Sequence, residues 1–122
     1  MSTVTVLRVL LVEDESIVAM MVADLLEELG HVVAGAASTL EDAVVKAASL
    51  EFDVALLDLN LNGRQSKPVV AILQRRELPF VFTTGYGSAM TAELAEVPVL
   101  RKPFLIGDLQ DVLQQAIKKE GR

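Results

Sequence analysis

Val54-Ala55-Leu56-Leu57-Asp58-Leu59 is a short apolar run that carries a single carboxylate near its end. Its length and flanks suit a fully buried strand of a parallel sheet, which reads as a continuous hydrophobic run rather than an alternating one. A carboxylate in such a strand is costly unless it sits at the carboxyl end, where a crevice opens. Asn60-Leu61-Asn62-Gly63 follows and is rich in turn formers, so the strand stops there. Asp58 is therefore expected to project from a rigid strand end into a crevice. The plainer alternative is an aspartate that merely caps the next turn.

Working outward, residues 7–12 read as a first buried strand, followed at once by Glu13-Asp14-Glu15. Residues 16–29 carry helical spacing, with Val18, Met21, Val22, Leu25 and Leu29 on one face and Gly30 as the stop. Residues 31–37 form a second strand. Ser38-Thr39-Leu40-Glu41 has the form of a capping box that opens a helix to about residue 50. Beyond Asp58, Pro68 suits the first turn of a third helix ending near Arg76. A fourth strand covers residues 80–84, Gly85-Tyr86-Gly87 is a loop, and residues 88–94 form a short, weakly amphipathic helix. A fifth strand covers 97–102. A closing helix from Ile106 to about Glu120 turns Leu109, Val112, Leu113, Ala116 and Ile117 inward.

Strand and helix alternating with short connections give a parallel sheet covered on both faces, a doubly wound α/β fold. Right-handed crossovers leave 2-1-3-4-5 as the most economical order for five strands. Its switch point lies between the first and third strands, where ligands bind outside the carboxyl ends. Those ends carry Glu13 and Asp14, and Asp58; the fourth ends in Thr84 and the fifth in Lys102.

Composition narrows the function. The length of 122 residues suits one domain spanning 1–122, with a folded core of about 6–120, and 52% hydrophobic residues supply a sizeable core. No apolar run is long enough to span a bilayer, and no secretory leader is visible, so no membrane partner is expected. The absence of cysteine excludes disulfides and Cys-based zinc sites and fits a cytoplasmic location. A net charge of −6 with scattered basic residues argues against direct nucleic-acid binding. An acidic chain that handles phosphate needs a local cation.

Three crowded carboxylates either shift a pKa or hold a metal ion. An all-oxygen ligand set suits Mg²⁺ or Mn²⁺. A carboxylate beside such an ion can attack a phosphoryl group and form an aspartyl phosphate, while Lys102 and the Thr84 hydroxyl stabilise the charge on its oxygens. Each piece has a plainer reading alone: a helix N-terminus favoured by the dipole for Glu13-Asp14-Glu15, a strand hydroxyl for Thr84, a surface lysine for Lys102. Their convergence on one sheet edge favours the shared one.

With Glu13-Asp14, Asp58, Thr84 and Lys102-Pro103-Phe104 each following its strand, the chain resembles the receiver domain of bacterial two-component response regulators over essentially its whole length. The resemblance implies a flavodoxin-like fold and a phosphoacceptor role for Asp58. It implies Asp14 as a direct Mg²⁺ ligand, Glu13 as a ligand through water and the Asn60 backbone carbonyl as a further ligand. Thr84 and Lys102 would contact the phosphoryl group, and Lys102-Pro103 would be a cis peptide. The implied partner is a sensor histidine kinase or histidine phosphotransfer protein. The implied product is a stand-alone phosphoacceptor, monomeric or weakly dimeric, rather than an enzyme.

Two departures stand out. Many receivers carry an aromatic switch residue where this chain has Val99. Pro79-Phe80-Val81-Phe82-Thr83-Thr84-Gly85-Tyr86 resembles the "FAT GUY" subgroup, often single-domain regulators of general stress signalling, with Thr83 in place of the usual alanine. Tyr86 and Asn60, each two residues past a site residue, correspond to positions that flank the phosphoryl group in receivers. With no ring at 99, Tyr86 and residues 85–95, hinged at Gly85, are expected to report the phosphorylated state. A haloacid-dehalogenase-type hydrolase would need an acid at position 60, and a dinucleotide fold would need its glycines after the first strand; neither is present. A receiver-like module that binds partners without phosphorylation is the remaining alternative. His31 reads as structural. Met20 lies opposite the Val18–Val22–Leu25 stripe between Ala19 and Ala23, as either an incidental exposed methionine or part of a docking face for a partner's phosphohistidine helix.

Overall fold

The computed structural model describes residues 6–85 and 97–119. In chain order these form β1 (Arg8–Val12), α1 (Ser16–Glu28), β2 (Val32–Ala37), α2 (Leu40–Ser49), β3 (Val54–Asp58), β4 (Asn60–Leu61), β5 (Arg64–Gln65), α3 (Lys67–Arg75), β6 (Phe80–Thr84), β7 (Val99–Arg101) and α4 (Ile106–Lys119). The main sheet has the order β2-β1-β3-β6-β7, and every pairing in it is parallel. Counting only its own strands, this is the expected 2-1-3-4-5 arrangement of a flavodoxin-like sheet. The expected helix over 88–94 and the last residues of the closing helix lie outside the described residues.

Side-chain alternation divides the core in two. Leu10, Val12, Ala55, Leu57 and Phe82 face the side covered by α2 and α3, against Leu40, Ala43, Ala47, Val69, Val70 and Leu73. Val9, Leu11, Val54, Leu56 and Val81 face α1 and α4, against Val22, Leu26, Leu109, Leu113 and Ala116. β1 and β3 are thus buried on both faces, which is why they read as unbroken apolar runs. Each fully buried leucine contributes roughly 1.5–3 kcal/mol relative to exposure, so the central strands hold their carboxyl ends rigidly.

Several local expectations are corrected. Met21 is 57% exposed, and Leu26 takes the inward place. The buried stripe of α1 is centred on Val22 and Leu26, and Met21, about 100° from Val22, falls outside it. Ala19 and Ala23 pack against the core, so Met20 shares the exposed surface with Ile17 and Met21 instead. The cap of α2 is Thr39, whose hydroxyl accepts the Asp42 N–H at 3.1 Å; Ser38 and Glu41 do not form the box. The cap needs extended backbone one residue before the helix, and Thr39 (φ −126°, ψ 158°) supplies it. β7 is shorter than the expected 97–102. Its flanking residues still join the sheet, with Pro98 O accepting from Phe82 N at 3.0 Å and Lys102 N donating to Thr84 O at 2.9 Å.

The stretch after Asp58 does more than turn. β4 and β5 form an antiparallel hairpin closed by Asn62 (φ 53°) and Gly63 (φ 82°). Two central residues with positive φ match the right-handed twist of the flanking strands, and Asn-Gly is the pair that adopts them most readily.

Candidate functional site

Packing of β1, β3, β6 and β7 brings their carboxyl ends to one edge. Glu13 and Asp58 are buried, Asp14 is half-buried, and carboxylate oxygens of all three lie within 4.8 Å of one another. Lys102 Nζ lies 2.7 Å from Glu13 Oε1 and 3.0 Å from Asp58 Oδ2. Three backbone N–H groups reach in: Asn60 to Asp58 Oδ1 at 3.1 Å, Glu15 to Glu13 Oε2 at 3.2 Å, and Asn62 to Asp14 Oδ2 at 2.9 Å. Among the described residues no buried side-chain polar atom lacks a partner.

The other residues singled out in the sequence fall around this core. Thr84 is buried at the end of β6, with its hydroxyl donating to the Gly85 carbonyl at 2.9 Å. Asn60 opens β4, separated from the end of β3 by Leu59 alone. Lys102-Pro103 is cis. Tyr86 lies outside the described residues. Asn62 was not singled out, although Asn-Gly after a buried strand was a legible hairpin signal. That its N–H meets an acid 48 positions earlier in the chain was not legible.

The electrostatics follow from burial. Burial pushes the Glu13 carboxyl up to about 7; the Lys102 ammonium and the Glu15 N–H oppose the shift, and the Asp58 charge adds to it. For Asp14 burial works upward but is outweighed, chiefly by the Asn62 N–H, and its carboxyl is held below the usual value. For Lys102 burial works downward and is outweighed by Glu13 and Asp58, so its ammonium is held above the usual value.

The donor set fits a hard divalent cation. Three carboxylates against one ammonium leave two negative charges when all are ionised, and the ligands are all oxygen. The Glu13 value predicts how that fit depends on pH. Its folded value lies above the unfolded 4.5, so in the metal-free chain Glu13 contributes stability that is fully present below 4.5 and lost as pH rises through about 7. A metal needs the ionised form, so Mg²⁺ affinity should climb about tenfold from about pH 6 to about pH 8 and then level off. Calorimetric titration across that range checks it; a flat profile would remove Glu13 from the metal site.

A doubly wound sheet with an acid pocket at its switch point and a lysine across it defines a receiver. The chain belongs to the response regulator receiver domain family, matching it over residues 9–114. It is similar to the phyllosphere-induced regulator PhyR of Methylorubrum extorquens, 34% identical over 115 residues that cover 90% of this chain and 43% of that protein. The chain spans about half the length of the curated relatives it matches. Among solved structures it is similar to SdrG from Sphingomonas melonis Fr1, with TM-score 0.80 and 34% identity over 96% of this chain and 98% of that one. It is also similar to the PhyR stress response regulator, with TM-score 0.82 and 27% identity over 97% of this chain and 47% of that one. No helix among the described residues is long and apolar enough to cross a membrane.

Proposed function

We propose that this receiver accepts a phosphoryl group on Asp58 from a phosphohistidine of a sensor kinase or phosphotransfer protein. The observation that carries the reading is Asp58 itself: buried at a strand end, bonded to Lys102 at 3.0 Å, with two further carboxylates within 4.8 Å. An Asp58 oxygen attacks phosphorus, a P–O bond forms, the P–N bond breaks, and the imidazole leaves with that electron pair. Glu13, Asp14, Asp58 and the Asn60 carbonyl would hold Mg²⁺ or Mn²⁺. When bound, the ion neutralises charge on the transferring oxygens. Lys102 pairs with the new phosphoryl group, to which Thr84 donates, and the added charge shifts the equilibrium between conformations. The chain acts as an acceptor rather than a turnover catalyst. The likeness of residues 79–86 to the "FAT GUY" subgroup, with a stress response regulator among the similar structures, supports a role in general stress signalling.

The partner reading rests on α1. Ile17, Met20 and Met21 are 73%, 67% and 57% exposed on the helix that begins right after the acid pair. Large apolar side chains clustered on an exposed helix face mark an interaction site, here for the helix that presents the phosphohistidine. Mass spectrometry of alkali-labile phosphate on Asp58, with Mg²⁺ and with EDTA, tests the acceptor reading. Met20→Asp should slow transfer from a phosphohistidine protein about tenfold, the loss of one buried apolar contact, and leave transfer from acetyl phosphate unchanged. Equal slowing with both donors would reject α1 as the docking face.

A further inference from the structure

We propose that the β4–β5 hairpin is a latch that fixes the rotation of the Asp14 carboxylate and thereby sets the affinity of the pocket for a divalent cation. This rests on the metal reading above. Asp14 lies in the short link between β1 and α1 and is only half-buried, so packing alone does not fix its carboxylate. What holds it is the Asn62 N–H on Oδ2 at 2.9 Å. That hydrogen bond restrains rotation about Cβ–Cγ, and the other carboxylate oxygen would be the one offered to a cation. The Asn60 N–H, two residues earlier, holds Asp58 Oδ1 in the same way at 3.1 Å. In extended chain, N–H groups two apart leave on the same side, so one edge of one hairpin restrains both the acid that ends β3 and the acid that follows β1.

The hairpin is itself anchored. Leu61 is buried in the core beside α2 and α3. Arg64 forms an ion pair with Glu41 on α2, and Asn62 Nδ2 donates to Ser38 O at 3.4 Å. Removing a group that hydrogen-bonds a metal ligand commonly costs about tenfold or more in affinity, because an unheld ligand loses its orientation. Asn62, Gly63 and Arg64 are positioning residues in this sense, acting through Asp14.

The turn geometry supplies the variants. Valine is strained at the positive φ of Asn62, whereas glycine tolerates it and keeps the N–H. Titration calorimetry with MgCl₂ on the 122-residue chain should show binding weakened about tenfold in Asn62→Val and within about twofold of the parent in Asn62→Gly. Arg64→Ala should weaken binding about threefold at low salt, a gap that closes near 0.5 M salt because the ion pair is exposed. Melting in EDTA reports folding separately. Parent-like Mg²⁺ affinity in Asn62→Val overturns the latch. If that variant melts far below the parent, Arg64→Ala decides, and unchanged affinity there overturns it. A parent that binds no Mg²⁺ rejects the metal reading itself, a different result from a parent that binds and variants that match it.

Discussion

Asp58→Asn should leave the chain folded and abolish phosphotransfer, a loss of at least about a thousandfold against the parent. The amide keeps the shape of the carboxylate, and its oxygen can still accept from Lys102, now at 3.0 Å. What it lacks is an anionic nucleophile. Placement at the end of β3 makes the loss hard to bypass. Glu13 is the other buried acid that Lys102 touches, but its backbone N–H is fastened to Ala37 O at 3.0 Å and its side chain to Lys102 and Glu15. A group held on three sides is badly placed for in-line attack. Radiolabelled transfer from a phosphohistidine protein, with circular dichroism to verify folding, gives the answer. Label on Asp58→Asn equal to the parent's would sink the assignment. Label that moves to Glu13 would put the reaction in the right pocket with the wrong acceptor.

The sequence exposed what depends on runs and ends. β6 has the bounds read from it because Pro79 and Gly85 bracket an apolar stretch, and β3 differs by one residue. Glu13, Asp14, Asp58, Thr84 and Lys102 could be named because each is a polar residue at the end of a strand and the topology gathers those ends. What depends on long-range contact was not legible. His31 reads as structural, but nothing local says that its Nδ1 accepts the Leu7 N–H at 3.1 Å or that its Nε2 meets Gln110 at 3.1 Å, 79 positions on. Met21 misled for a related reason. An apolar side chain next to an inward one fits a loosely drawn face, although Met21 lies about 100° from Val22 and outside the stripe that α1 buries.

Lys102→Met should destabilise the metal-free chain by about 3 kcal/mol at about pH 8, the cost of stripping the partner from a buried ion pair. The Lys102 side chain is 17% exposed, and those of Glu13 and Asp58 are 3% and 8% exposed, so water screens the abandoned acids poorly. The penalty should shrink on acidification. Glu13 already titrates near 7 with the ammonium beside it, and removing that ammonium moves it higher. Near pH 5 it is then protonated, one of the two facing charges is gone, and the loss falls to about 1 kcal/mol. Mg²⁺ should reverse the deficit near pH 8, because a cation that binds only the folded chain stabilises it by mass action. The variant should also bind Mg²⁺ more tightly than the parent, since no ammonium competes for Glu13 and Asp58, while phosphotransfer falls because nothing pairs with the incoming phosphoryl oxygens. Tighter metal binding with weaker transfer separates a lysine that acts on phosphate from one that only holds the fold. Thermal melts at both pH values, with EDTA and with Mg²⁺, test this. A variant that melts with the parent in EDTA near pH 8 and binds Mg²⁺ no more tightly would show that Lys102 does not neutralise the pocket.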